Sequence, residues 1–121
     1  MSKVYVMKNN YFDRIVSQAP IPCVVKFTSA GCHLCHELKP VYKEVAKKFK
    51  DKYAFFSVDC DAEEDLKQEF SPDGVPTIRV YSGNPRDGRE IPYPGNEVSG
   101  YGFEDLVKFL NNHGERSEEE E

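Results

Sequence analysis

Cys23-Val24-Val25-Lys26-Phe27 is a nearly unbroken β-prone run. A run with so little polar alternation reads as a central strand buried on both faces. Thr28 to Gly31 form a short connection. From about Cys32 to Phe49 the apolar residues Leu34, Leu38, Val41, Tyr42, Val45, Ala46 and Phe49 then recur at helical spacing. Pro40 lies inside that stretch, where it removes one backbone donor and predicts a kink. A buried strand running straight into a long amphipathic helix is the first half of a strand–helix–strand unit. It commits the chain to a parallel sheet covered by helices.

The flanking segments agree. Lys3 to Met7 alternates like a strand, and Asn9 or Asn10 can cap a helix through Gln18 with Phe12, Ile15, Val16 and Ala19 on one side. Pro20 and Pro22 end that helix. Tyr53 to Asp59 reads as a strand. Asp61 is placed to cap a short helix through Phe70, with Glu64 as its capping partner. Ser71-Pro72-Asp73-Gly74 is turn chemistry, and Thr77 to Tyr81 is a strand. Gly83 to Gly88 is a turn region. Arg89 to Tyr93 is an edge strand, because Pro92 is tolerated only at an edge. Phe103, Leu106, Val107 and Leu110 mark a last helix, with Glu104 and Asp105 in its first turn, where the dipole favours them. The order is βαβαβαββα, an α/β chain. Phe12, Phe27, Phe55, Phe56 and Phe103 are assigned to its core.

A chain of 121 residues leaves room for a single domain. The formal net charge is −5, of which Glu118 to Glu121 supply −4. The remainder carries no basic excess, which argues against a nucleic-acid partner. No apolar run approaches the roughly 18 residues of a membrane span, so no membrane partner is expected. From about His113 the chain turns polar and acidic, and 113–121 are expected to be a disordered tail behind a domain over 1–112. No secretory signal is visible at Met1-Ser2-Lys3-Val4, which points to the cytoplasm. A processed or excised domain would instead suit the ER or secretory pathway.

The chemistry concentrates at Cys32-His33-Leu34-Cys35. Cys32 follows a central strand and opens a helix, whose first turn carries unpaired N–H groups and a partial positive charge. A thiolate there is stabilised and its pKa falls towards neutrality. Cys35, one turn on, is placed to resolve a mixed disulfide formed at Cys32. Strand-to-helix turns of this kind sit at the ligand-binding edge of open α/β sheets. Cys23 and Cys60 fall at opposite ends of neighbouring strands, some 15 Å apart, too far for a disulfide, which needs Cα atoms within about 7 Å. Cys23 is expected to be a small buried hydrophobe. Cys60 is either a buried structural cysteine or a third thiol at the active edge.

Two other chemistries use the same residues. Cys32 to His36 also spell the C-x-x-C-H of haem attachment, but the strand-rich context does not suit a small cytochrome. Cys32, His33, Cys35 and His36 could gather zinc, but structural zinc sites usually draw ligands from two separate segments. No metal or organic cofactor is therefore expected.

Val25-Lys26-Phe27, Cys32-His33-Leu34-Cys35, Pro40, Val58-Asp59-Cys60, Gly74-Val75-Pro76-Thr77 and Tyr93-Pro94-Gly95 together resemble the thioredoxin superfamily, most closely the catalytic domains of protein disulfide isomerases. Their order and spacing are specific, and the resemblance covers about residues 3 to 112. It implies a thioredoxin fold with a five-stranded mixed sheet flanked by four helices. It also implies a cis peptide before Pro76, with the Val75 backbone pairing a substrate peptide beside Gly31. The implied activity is thiol–disulfide exchange with protein or peptide substrates, by a monomer recycled by a reductase or oxidase. The alternative is a non-catalytic thioredoxin-fold binding or chaperone module.

The departures from the family pattern are informative. The usual tryptophan before the first cysteine is Gly31 here, and the chain has no Trp. The usual pair between the cysteines is Gly-Pro or Gly-His, here His33-Leu34, so both residues are candidates for tuning the redox pair. The family's buried carboxylate is Lys26. It either favours a Cys35 thiolate or acts as a base if burial lowers its pKa, unless its stem carries the amine out to solvent.

Overall fold

The computed structural model describes residues 4–6, 9–70, 75–82, 91–92 and 102–119. Along the chain these form β1 (Val4–Val6), α1 (Asn9–Gln18), β2 (Cys23–Thr28), α2 (His33–Lys48), β3 (Ala54–Asp59), α3 (Glu64–Phe70), β4 (Thr77–Tyr81), β5 (Ile91–Pro92) and α4 (Phe103–Glu119). The expected turns at Ser71–Gly74 and Gly83–Gly88, and the Tyr93-Pro94-Gly95 motif, lie outside the described residues.

The body of the sheet is four strands in the order β1-β3-β2-β4. β3 runs parallel to β1 and β2, in register Val24↔Phe55 and Thr28↔Asp59, and β4 is antiparallel to β2. The five-stranded sheet expected from the sequence is corrected here. Of the strand expected over Arg89 to Tyr93, Ile91 and Pro92 are the described residues, and they pair with β4 opposite Val80 and Arg79. Pro92 has no N–H to extend the ladder, so this two-residue stub ends the sheet rather than adding a full strand to it.

β2 is central, as its composition requires, and every residue from Cys23 to Phe27 is buried. Its alternation divides the core. Cys23, Val25 and Phe27 join Phe12 and Val16 of α1, Leu66 of α3 and Val58 of β3 on one face. Val24 joins Leu38, Tyr42, Val45 and Ala46 of α2 and Leu106 and Leu110 of α4 on the other. Lys26 shares the parity of Val24 and therefore faces α2, the helix that begins at the cysteine pair.

Two buried hydroxyls stitch this second face. Tyr42 Oη lies 2.9 Å from the Val24 carbonyl and 2.8 Å from that of Phe56, sharing its proton between two strands. Tyr53 Oη donates to the Leu110 carbonyl at 2.9 Å and pins α4. Each such bond contributes about 1 kcal/mol net, but leaving a buried phenol unpaired would cost more.

Two local expectations change. Phe103, assigned to the core, is 40% exposed at the start of α4. The backbone of α4 continues to Glu119, through the stretch whose composition marked an acidic tail. Glu, Lys and Arg are good helix formers, so a polar run can prolong a helix already started by packing. α2 holds Pro40 in its interior and runs from His33 to Lys48.

Candidate active site

The site is built at the β2–α2 junction. β2 ends at Thr28 and α2 begins at His33, which leaves Cys32 as the helix N-cap in extended conformation. Its sulfur accepts a hydrogen bond from the Cys35 backbone N–H at 3.1 Å, the role a Ser or Asp side chain plays in other helices. Cys32 and Cys35 are joined by a disulfide, with Cα atoms 5.2 Å apart. Cys32 is half-buried at the surface, while Cys35, one turn along, is only 3% exposed. The two sulfurs therefore differ in access, and the accessible one sits at the positive end of α2.

The turn before the pair is held by a residue that sequence reasoning assigned elsewhere. Asp61 does not cap α3, which starts at Glu64. Its carboxylate reaches back to the 29–31 turn, accepting from Ser29 Oγ at 2.9 Å and from the Ala30 N–H at 3.0 Å. The Ala30 backbone bond, followed by that of Ser29, holds the Asp61 carboxyl below its ordinary range. His36 Nε2 lies 2.7 Å from the Ala30 carbonyl, and the Cys32 N–H donates to Ser29 O at 3.2 Å. The turn is thus tied from the β3–α3 loop, from α2 and from itself. An aspartate after a strand is the only local signal for this, and it equally signals a cap.

Lys26 is 5% exposed, so its stem does not carry the amine out to solvent. Its Nζ lies 5.0 Å from the centre of the Tyr42 ring, in cation–π contact. Burial, followed by the charges of Lys39 and Lys43, lowers its pKa to about 8. Lys26 and Cys35 line the same cleft, between α2 and the β1–β3 side of the sheet.

The peptide bond between Val75 and Pro76 is cis, as the resemblance implied. Pro76 immediately precedes β4, whose Thr77 pairs with Phe27 at the end of β2. That register brings Pro76 to the same sheet edge as the cysteine pair. Gly31 is exposed, and a Cβ there would meet nothing within 4 Å. Leu34 is half exposed, at 51%. His33 points along α2 to Glu37, 3.3 Å away at the surface, an ion pair when the imidazole is protonated.

Cys23 and Cys60 are free, buried and apart. Cys23 starts β2 opposite Ala54, whereas Cys60 follows the Thr28–Asp59 pairing at the other end. Burial pushes the Cys23 thiol up to about 11 and also raises Cys60. Both have the character of core residues. Among the described residues, no three of His, Cys, Asp and Glu are grouped to hold a metal ion, and no helix is long and apolar enough to cross a membrane.

Comparison with known proteins places this architecture. The thioredoxin family model matches residues 3–110. Protein disulfide isomerase-like 2-3 of Oryza sativa subsp. japonica is 32% identical over 88 residues, covering 73% of this chain and 19% of that protein. Protein disulfide-isomerase like 2-2 of Arabidopsis thaliana is 32% identical over 89 residues, covering 74% of this chain and 20% of that one. The chain thus spans about a fifth of the length of these relatives. In three dimensions, the J-Trx1 fragment of ERdj5 superposes with a TM-score of 0.76 at 23% identity, covering 91% of this chain and 51% of that one. With its disulfide between Cys32 and Cys35 at the head of α2, the chain belongs to the thioredoxin family.

Proposed function

We propose that the domain exchanges disulfides with protein or peptide substrates, with Cys32 as nucleophile and Cys35 as resolving thiol. The observation that carries this reading is the unequal access of the two sulfurs at one helix N-terminus. In the reducing direction, the Cys32 thiolate attacks a substrate disulfide. A mixed disulfide forms, and one substrate sulfur leaves as a thiolate. The Cys35 thiolate then attacks the Cys32 sulfur, and the second substrate thiolate departs. Two electrons pass to the substrate and the Cys32–Cys35 disulfide remains. Running backwards, the same steps oxidise a dithiol.

Cys35 must lose a proton before it attacks. Lys26 supplies a base in the same cleft, because a pKa of about 8 keeps part of its amine neutral near physiological pH. Val75 and Pro76 form one wall of the substrate groove, where the Val75 backbone pairs an extended peptide. Gly31 leaves the opposite side open, and Leu34 offers an apolar contact. His33 adds positive charge beside the thiolate when protonated.

The test is trapping. Cys35→Ser should accumulate substrate bound to Cys32 through a disulfide, and Cys32→Ser should neither trap nor turn over. If function survives Cys32→Ser, the domain is a non-catalytic binding module. Equilibration with glutathione sets direction and compartment. A potential near about −270 mV fits a cytoplasmic reductase, and one near about −180 mV fits an oxidase or isomerase of the secretory pathway.

A further inference from the structure

The cleft behind the disulfide holds more than the one amine that exchange uses. It has a volume of about 390 Å3, within the range of small-molecule sites. Lys26 lies in its floor and Tyr42 in its wall. Val4 and Val6 of the edge strand border it, and Lys39 and Lys43 of α2 face it. Lys39 and Lys43 are exposed and four residues apart on one helix face, an arrangement that like charges disfavour. Lys26 is 5% exposed, and among the described residues its amine has no hydrogen bond or ion pair, only the Tyr42 ring. Three amines therefore converge on a mainly apolar cleft whose opposing carboxylate is that of Asp59, with the His36 ring beside it. A buried amine without an anion is a costly arrangement, and an anion entering the cleft would offset that cost.

We propose that this cleft binds a small organic carboxylate with an apolar body, its head group paired with Lys26 and its chain against Tyr42, Val4 and Val6. The apolar lining excludes a bare inorganic anion as the best-fitting ligand. The amines exclude a cationic one. Lys39 and Lys43 draw the ligand in and hold its head group from the rim. The proposal concerns the disulfide form and stands independently of which cysteine attacks.

The experiment uses the oxidised full chain and amide chemical shifts, titrated separately with hexanoate, hexanol, hexylammonium and inorganic phosphate. Hexanoate should move the resonances of Lys26, Tyr42 and Ser57 saturably. It should bind at least tenfold more tightly than hexanol or phosphate, and hexylammonium should move none of them. Lys26→Met, which keeps an apolar side chain of similar length, should weaken hexanoate tenfold or more while hexanol binding is unchanged. Equal binding of hexanoate and hexanol overturns the proposal without any variant. So does phosphate binding as tightly as hexanoate, or hexanoate binding that survives Lys26→Met with a native spectrum.

Discussion

Two pairs of cysteines in this chain share one side chain and have opposite chemistry. Cys32 and Cys35 stand at the start of a helix and are joined by a disulfide. Cys23 and Cys60 lie against the aromatic and aliphatic side chains of the α1–α3 face and are free. The first pair meets unpaired backbone N–H groups that favour a thiolate. The second meets a medium that disfavours any charge, which puts Cys23 at about 11. Reactivity here is a property of place. Lys26 makes the same point, since burial beside two like charges lowers its pKa to about 8.

The largest expected effect is on that contrast itself. In the reduced protein at pH 7, alkylation should label Cys32 at least two orders of magnitude faster than Cys23, because so little of a thiol at about 11 is ionised there, and also faster than Cys60, which burial raises too. Rates should converge in denaturant. Mass spectrometry after timed quenching reads both, and equally fast labelling of Cys60 in the folded state would make it a third active thiol.

Lys26 tests the cost of the second environment. Its folded pKa of about 8 is below the ordinary 10.5, so between those values the unfolded chain holds more protons and stability rises with pH. Below about pH 8 the charged amine imposes its full cost. Lys26→Met should therefore stabilise the protein by about 1–3 kcal/mol at pH 7, with the difference shrinking as pH climbs towards 10.5. Lys39, Lys43 and His36 of α2 and Asp59 of β3 face the same cleft and are common to both proteins. The difference between their denaturation curves isolates Lys26, and a constant offset across that range would refute the titration.

The smallest effect concerns the turn that presents Cys32. Asp61→Asn keeps an acceptor for Ala30 but loses the charge, while Asp61→Ala loses both. Exchange activity should fall severalfold in the alanine variant and less in the asparagine one, and amide exchange at Ala30 should accelerate in the same order. Unchanged protection at Ala30 would show that His36 and Ser29 suffice to hold the turn.

Much of this was legible in the residues. The unbroken run from Cys23 to Phe27 announced a central strand, and the periodicity after Cys32 announced α2. Pairing distance along the strands separated Cys23 from Cys60. Whether the stem of Lys26 carries its amine out to solvent stayed open in the sequence, and the structure buries it. The failures have physical causes. Arg89 to Tyr93 looked like a strand because β-propensity is local, yet the pairing observed with β4 spans two residues. Asp61 looked like a cap because a carboxylate after a strand can satisfy either a helix or a distant turn. Nothing near Lys39 and Lys43 in sequence shows that Lys26 lies across the cleft from them.

The sequence by itself determined the alternation of strand and helix, the helix that opens at the cysteine pair and the place of Cys32 at its start. These depend on periods of 2 and 3.6 residues and on helix-end electrostatics, which act over a few neighbours. Tertiary structure alone decided that Asp61 holds a turn 31 residues upstream, that Lys26 stays buried beside Tyr42, and that three amines share one cleft. Those outcomes rest on contacts between segments far apart in the chain. Their energies depend on burial and distance, which exist only once the sheet and α2 have packed.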